Sequence, residues 1–232
     1  LFMASRLISI LAVAALCIAG CAQTDTNDYS PPEKGNPDYL KGKNTRADAL
    51  FVNTASEPGG RDFRNVYIEP ADLSNFRIIQ PEGAAVDGEW TVRDVENDIL
   101  QRSIKKEFTA TLGYESAYNI VDKRDDAEIL VHTTVVAIHP YVTRAEVDAG
   151  LKGGGAITAS IALVNARTGT VMVRSVDTRS TENIWAFHQV GNDAPAVDLI
   201  FRAWGNSIRR GMLQLQGRSS DPLAPPVMLK SQ

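Results

Sequence analysis

The sequence predicts an α+β domain: a single mixed, mostly antiparallel sheet with two amphipathic helices packed on one face, in the order β-α-β-β-β-β-α. Three observations point there. Two long segments carry apolar residues at three- and four-residue steps, which only a helix gathers on one side. Several shorter runs are β-branched or alternate with period two, as strands do. One pair of these runs is joined by a short glycine-containing loop, a hairpin signal. Each helical stripe needs apolar surface to lie on, and one layer of sheet with both helices on the same side meets that need.

The first predicted strand is Phe63 to Glu69, where Val66 and Ile68 alternate with Tyr67 and Glu69 and Pro70 ends the run. Trp90 to Leu112 follows as a helix, with Val92, Val95, Ile99, Leu100, Ile104, Phe108 and Leu112 on its stripe. Thr91 is its expected N-cap, Asp94 the capping-box partner and Gly113 its stop. A short strand from Tyr118 to Val121 leads through the charged turn Asp122 to Asp126 into Ala127 to His139. That stretch is nearly continuous in apolar residues and is expected at the sheet centre, covered on parts of both faces. Ile157 to Val164 and Val171 to Val176 form the hairpin, with Gly169 supplying positive φ. Ala196 to Gln216 is the second helix, carrying Val197, Ile200, Phe201, Trp204, Ile208, Met212 and Leu215, with Pro195 near its first turn. The first strand, first helix and second strand are expected to form a parallel crossover, and the later strands to be antiparallel. The chain shows no internal repeat.

Outside this core the N-terminus is the informative part. Arg6 precedes an apolar stretch, Leu7 to Ile18, which is shorter than the roughly 20 residues a spanning helix needs and has the layout of a secretory signal. It closes on Ile18-Ala19-Gly20-Cys21, with Met3 the expected start. The segments are read as signal peptide 1–20, flexible tether 21–48, α+β domain 49–217 and Pro-rich tail 218–232. The tether is rich in Thr, Asp, Asn, Pro, Lys and Gly and buries too little apolar surface to offset its ordering entropy. In the tail, Val227, Met228 and Leu229 are placed to tuck against the domain.

On these residues the sequence resembles a bacterial lipoprotein. The resemblance implies cleavage between Gly20 and Cys21 and acylation of the Cys21 sulfur. Because one acyl chain binds a bilayer only marginally, two or three are needed for stable anchoring. Ala22, rather than aspartate, implies sorting to the outer membrane, facing the periplasm. Cys17 would leave with the signal and Cys21 be consumed by lipid, so the mature domain has no thiol for a disulfide, a metal or catalysis. Processing would remove Arg6 and no acid, making the mature chain one unit more acidic than the −4 of the whole. Such a surface offers no footprint for nucleic acid or anionic lipid.

The resemblance widens in the core. Val66-Tyr67-Ile68-Glu69-Pro70, the helix from Val92, Thr168-Gly169-Thr170-Val171 and Phe201-Arg202-Ala203-Trp204 are similar to the bacterial lipoprotein family known as domain of unknown function 3313, over roughly Phe51 to Gln216. The strand-turn-strand with Thr-Gly also resembles periplasmic domains of curli-secretion and transport-accessory lipoproteins. These are likenesses of fold and carry no chemistry.

No catalytic residue, cofactor or metal site is assigned. His132 and His139 lie seven apart in one strand, on opposite faces unless a bulge intervenes. His188, beside Trp185 and Phe187, has no Ser or Asp partner at a familiar spacing. Gly153, Gly154 and Gly155 follow Lys152, the reverse of a phosphate loop, and are read as a close backbone approach within the connection Thr143 to Ala156, itself a candidate contact surface. Trp185, Phe187 and Trp204 are read chiefly as core packing, with a groove for lipid or a partner as the alternative. The possible contact residues are therefore Gly153, Gly154, Gly155, Trp185 and His188. The expected function is a non-enzymatic binding or assembly component with an envelope protein as partner, working through a sheet edge or the Thr143–Ala156 connection. The alternatives are a transport-accessory or lipid carrier holding an apolar ligand and, further off, a hydrolase using His188.

Overall fold

Strands and helices fall where the apolar periodicity places them, with additions at the sheet margins. The computed structural model describes residues 39–41, 47–53, 62–84, 89–184 and 195–218. In chain order these form β1 (Tyr39–Lys41), β2 (Ala49–Asn53), β3 (Asn65–Ile68), β4 (Arg77–Ile78), α1 (Asp94–Leu112), β5 (Asn119–Ile120), β6 (Ile129–Pro140), α2 (Arg144–Asp148), β7 (Gly155–Asn165), β8 (Val171–Thr181) and α3 (Pro195–Leu215). The strands make one mixed sheet in the order β1-β2-β8-β7-β6-β3-β5, with β4 also pairing β6. β3 runs parallel to β5 and β6, and β4 parallel to β6. The other pairs are antiparallel. The fold is thus the expected α+β layer, and β3-α1-β5 is the expected parallel crossover.

β1, β2, β4 and α2 are additions. β1 lies inside the segment assigned to the tether, where Tyr39, Leu40 and Lys41 are held by pairing with Asn53, Val52 and Phe51. α2 occupies the start of the expected loop. Its N-cap Thr143 accepts the Glu146 N–H, and the Glu146 carboxylate accepts from the Thr143 N–H and hydroxyl, a capping box that stabilises a single turn.

α1 starts later than expected. Arg93, not Thr91, is its N-cap, because Glu96 accepts both the Arg93 backbone N–H at 2.8 Å and its guanidinium at 2.6 and 2.9 Å. Trp90 is instead a core residue, its indole N–H donating to the Val142 carbonyl at 2.9 Å. Gly113 does cap the C-terminus, but with helical φ of −77°. The chain turns left-handed only at Glu115 and Ser116.

The core lies between the sheet and the two long helices, with Val66, Ile104, Phe108, Leu112, Val131, Phe201 and Trp204 buried in it. Each such side chain contributes about 1.5–3 kcal/mol by leaving water. α1 and α3 run in the same direction, since their contacts advance together: Ser103 with Asp198, Glu107 with Arg202, and Thr111 with Gly205. A Cβ at Gly205 would overlap the Thr111 hydroxyl, so the glycine sets how closely the helices approach.

β6 is buried on both faces for most of its length, as a central strand should be. A bulge between Val135 and Ala137 shifts its register against β7. Consequently His132 pairs with Ala162 and His139 with Ala156, an even offset on β7 that brings both histidines to one face.

Where β3 and β6 meet, the Glu128 carboxylate accepts the backbone N–H groups of Arg64 at 2.7 Å and Asn65 at 2.9 Å. These bonds, Asn65 first, hold its pKa below the usual glutamate range. A depressed folded-state value means stabilisation that is complete above the unfolded pKa and is lost as pH falls through the folded one. Glu128→Gln is therefore expected to lower the urea midpoint at neutral pH and to match wild type at strongly acidic pH. Parallel midpoint-against-pH curves for the two proteins would refute this.

Candidate functional site

Of the site residues singled out in sequence, Gly153, Gly154 and Gly155 are described. Gly20, Cys21, Trp185 and His188 lie outside the described residues. Gly153 and Gly155 are buried and Gly154 half-buried. The Gly153 carbonyl accepts the Ile184 N–H and the Gly154 carbonyl accepts the Tyr141 N–H. At Gly155 an added Cβ would stand 2.7 Å from Ile184 Cγ2 and 2.8 Å from the His139 carbonyl oxygen. The three glycines therefore belong to the packing at the start of β7. Gly153 and Gly155 thus offer little surface for contact, and Gly154 is the one of the three that is partly exposed. The expected close backbone approach is met at Gly155.

Ionisable side chains at the helix seam serve one another. The buried Glu107 carboxylate accepts from Arg202 at 2.7 and 3.2 Å. Asp198 accepts from Ser103 and, at 2.6 Å, from Lys106. Hydrogen bonding by Glu107 pushes the Arg202 guanidinium pKa up.

On the opposite face of the sheet, His132 Nδ1 lies 3.1 Å from Glu69 Oε2 and Nε2 lies 3.4 Å from Thr134 Oγ1. This hydroxyl, imidazole and carboxylate have the connectivity of a nucleophilic triad. Thr134, however, sits mid-strand, paired with Ser160 on β7 and bridged to Asp72. Backbone N–H groups engaged in a ladder are not free to form an oxyanion hole, which that chemistry needs. Among the described residues no group of three or more His, Cys, Asp and Glu converges as for a metal.

The feature left open is the outer edge of β8. β2 pairs with it only from Val173 to Val176, opposite Val52 to Ala49. From Asp177 to Thr181, β8 is paired with β7 on one side, and no described strand pairs with the other. The strand expected over Val171 to Val176 runs on through the polar Asp177-Thr178-Arg179-Ser180-Thr181. Pairing with β7 alone is enough to extend it, and Thr and Ser suit an exposed edge.

Against this edge lies the N-terminal half of α3. Together Thr178–Thr181 and Ala196, Leu199, Ile200 and Ala203 line an open groove of about 390 Å³. Leu199 is 60 % exposed. It is an apolar residue off the buried stripe of its own helix. Next along β8, Asp177 accepts the Trp204 indole N–H at 2.9 Å and the Arg179 Nε–H at 2.8 Å. Burial pushes the Asp177 carboxyl above its usual range, opposed by the Arg179 charge and the Trp204 bond. Arg179 is thereby held by its own chain. Unpaired strand backbone beside a small apolar wall suits the addition of an extended segment, with main-chain bonds for affinity and alternate side chains on α3.

No known protein family and no curated protein matches the chain. Among solved structures it is similar to PelC of Paraburkholderia phytofirmans, a dodecamer, with 11% identity and a TM-score of 0.35 over 61% of this chain and 85% of that one. It is also similar to lipoprotein GNA1162 of Neisseria meningitidis, with 11% identity and a TM-score of 0.32 over 62% of this chain and 97% of the other. A minor lipoprotein of Acinetobacter baumannii gives 11% identity and a TM-score of 0.30 over 67% and 95%. At this level the likeness is a loose one of fold.

Proposed function

We propose that this chain is a lipid-anchored lipoprotein of the domain-of-unknown-function 3313 kind, a non-enzymatic binding or assembly component of the cell envelope. Acyl chains on Cys21 hold it to the outer membrane, facing the periplasm, and the following segment sets its reach. Contact is made by the β8 edge and the Leu199 groove, replacing the glycine-rich connection as the contact surface. What carries the reading is the lipoprotein-like run at Ile18–Cys21 joined to a domain whose buried carboxylates pair internally while, among the described residues, no strand takes the outer side of β8 from Asp177 to Thr181. The groove is open and partly lined by hydroxyl groups, which favours backbone pairing over storage of an apolar ligand.

Two measurements test it. Cells fed labelled palmitate are expected to label the wild-type chain in the envelope fraction, and Cys21→Ser is expected to lose both label and sedimentation. A wild-type chain without label, or a Cys21→Ser chain still held in envelopes, would undo the anchoring. After mild crosslinking, Leu199→Asp is expected to cut recovery of the bound partner about tenfold, the equivalent of ~1.4 kcal/mol. Undiminished recovery would remove the groove from the contact.

A further inference from the structure

Resting on the reading of this edge as the contact site, we propose that its occupant is a second copy of the chain, paired antiparallel through Thr178–Glu182 about a two-fold axis at Ser180. The geometry narrows the choice. A two-fold axis relating two antiparallel edge strands stands perpendicular to the sheet and keeps α3 of both copies on the same side. Directly opposed residues must then point to the same face, so the axis passes through a residue and not between two.

Five residues on this edge could hold the axis. An axis at Asp177 would place the partner's Thr178, and one at Thr178 the partner's Ser180, opposite Val176, whose outer side Ala49 already occupies. An axis at Arg179 would set two arginines opposite each other, which like charges disfavour. An axis at Thr181, the last residue of β8, would leave half the pairing beyond the strand. Ser180 is the remaining centre. There Thr178 opposes Glu182, Arg179 opposes Thr181 and Ser180 opposes itself, so no like charges meet and a hydroxyl group takes part in every pair.

The surroundings agree. Arg179 is neutralised by Asp177 within its own copy. Neither proline nor lysine, the residues that commonly blunt an exposed edge, occurs between Asp177 and Glu182. The same axis brings the two α3 helices alongside each other, where Ala196 and Ala203 are small enough for approach and each exposed Leu199 meets the other copy's groove. The result is an isologous interface, in which one patch serves both partners. Confinement of anchored copies to one membrane raises their effective concentration and favours a short pairing of this kind.

Disulfide trapping in the full-length chain tests the axis. Opposed Ser180 residues have Cα atoms about 4.5–5.5 Å apart, within the ~4.4–6.8 Å that a disulfide spans. Thr178 lies four residues off its symmetry mate's register, about 13 Å along the strand. Wild type, with Cys17 and Cys21 alone, gives the background. In envelope membranes, Ser180→Cys is expected to run as a disulfide-linked dimer on a non-reducing gel and Thr178→Cys to stay at background. The double variant Thr178→Cys with Glu182→Cys is expected to restore the dimer. Ser180→Cys that remains monomeric, or Thr178→Cys that crosslinks as well, overturns the second copy. Ser180→Cys linked to a different polypeptide, identified by mass, also overturns it while leaving the edge as a contact site. No link to anything, together with unchanged partner recovery in Leu199→Asp, removes both.

Discussion

Arg202→Ala is expected to lower the free energy of unfolding by about 3 kcal/mol, the lower end of the ~3–5 kcal/mol typical when one partner of a buried ion pair is removed. Glu107 is 1 % exposed, and Arg202 gives it two hydrogen bonds across the α1–α3 seam. Without them a carboxylate stays among the helices with Lys106, 3.6 Å away, as its remaining cation. The figure sits low in the range because that lysine is present and because the Arg202 side chain is itself 30 % exposed. Replacing both partners, Glu107→Met with Arg202→Met, is expected to cost less than Arg202→Ala alone, since no unpaired charge is then buried. Urea unfolding of the three proteins decides it: a neutral single variant, or a double variant worse than the single, would show that the pair is not what holds this seam.

Gly155→Ala is the second large effect, expected to destabilise by about 2–3 kcal/mol through overpacking. Two of the three atoms nearest the new Cβ, the His139 carbonyl oxygen at 2.8 Å and Pro140 Cα at 3.2 Å, are backbone and cannot rotate away. Strands β6 and β7 would have to part where Pro140 pairs with Gly155. Gly154→Ala is the internal control, since its nearest atoms stand at 3.6–3.7 Å in ordinary contact, and it is expected within about 0.5 kcal/mol of wild type. Equal melting temperatures for the two variants would remove the argument.

The pair shows why the glycine run was only half legible. Three consecutive glycines signal close backbone approach, and at Gly155 the approach is there. Which glycine needs its missing Cβ depends on Pro140 and Ile184, 15 residues before and 29 after Gly155, and no local pattern reports that. The histidines make the same point. Seven residues apart, they are sent to opposite faces by strand periodicity, until the extra residue at Val136 reverses the phase. A bulge is a property of two strands paired, and neither strand carries it alone.

The N-cap of α1 is set by a related cause. Thr91 is a good N-cap by composition, but Glu96 and Arg93 form the cap because their side chains close on each other at the helix start. Trp90 is buried instead by the Val142 carbonyl and by Gln80, which bonds its backbone N–H and C=O.

By itself the sequence determined the α+β class, both long helices, the central strand and the hairpin. Each of these follows from periodicity or from residue types adjacent in the chain, where the physics is local. Only the tertiary structure decided that β2 pairs with β8 no further than Val176, that among the described residues no strand takes the outer side of β8 from Asp177 to Thr181, and that Leu199 stands beside it. Those are facts about where one segment ends against another, set by the competition of strands for the same hydrogen-bonding edge, a competition that no single segment records.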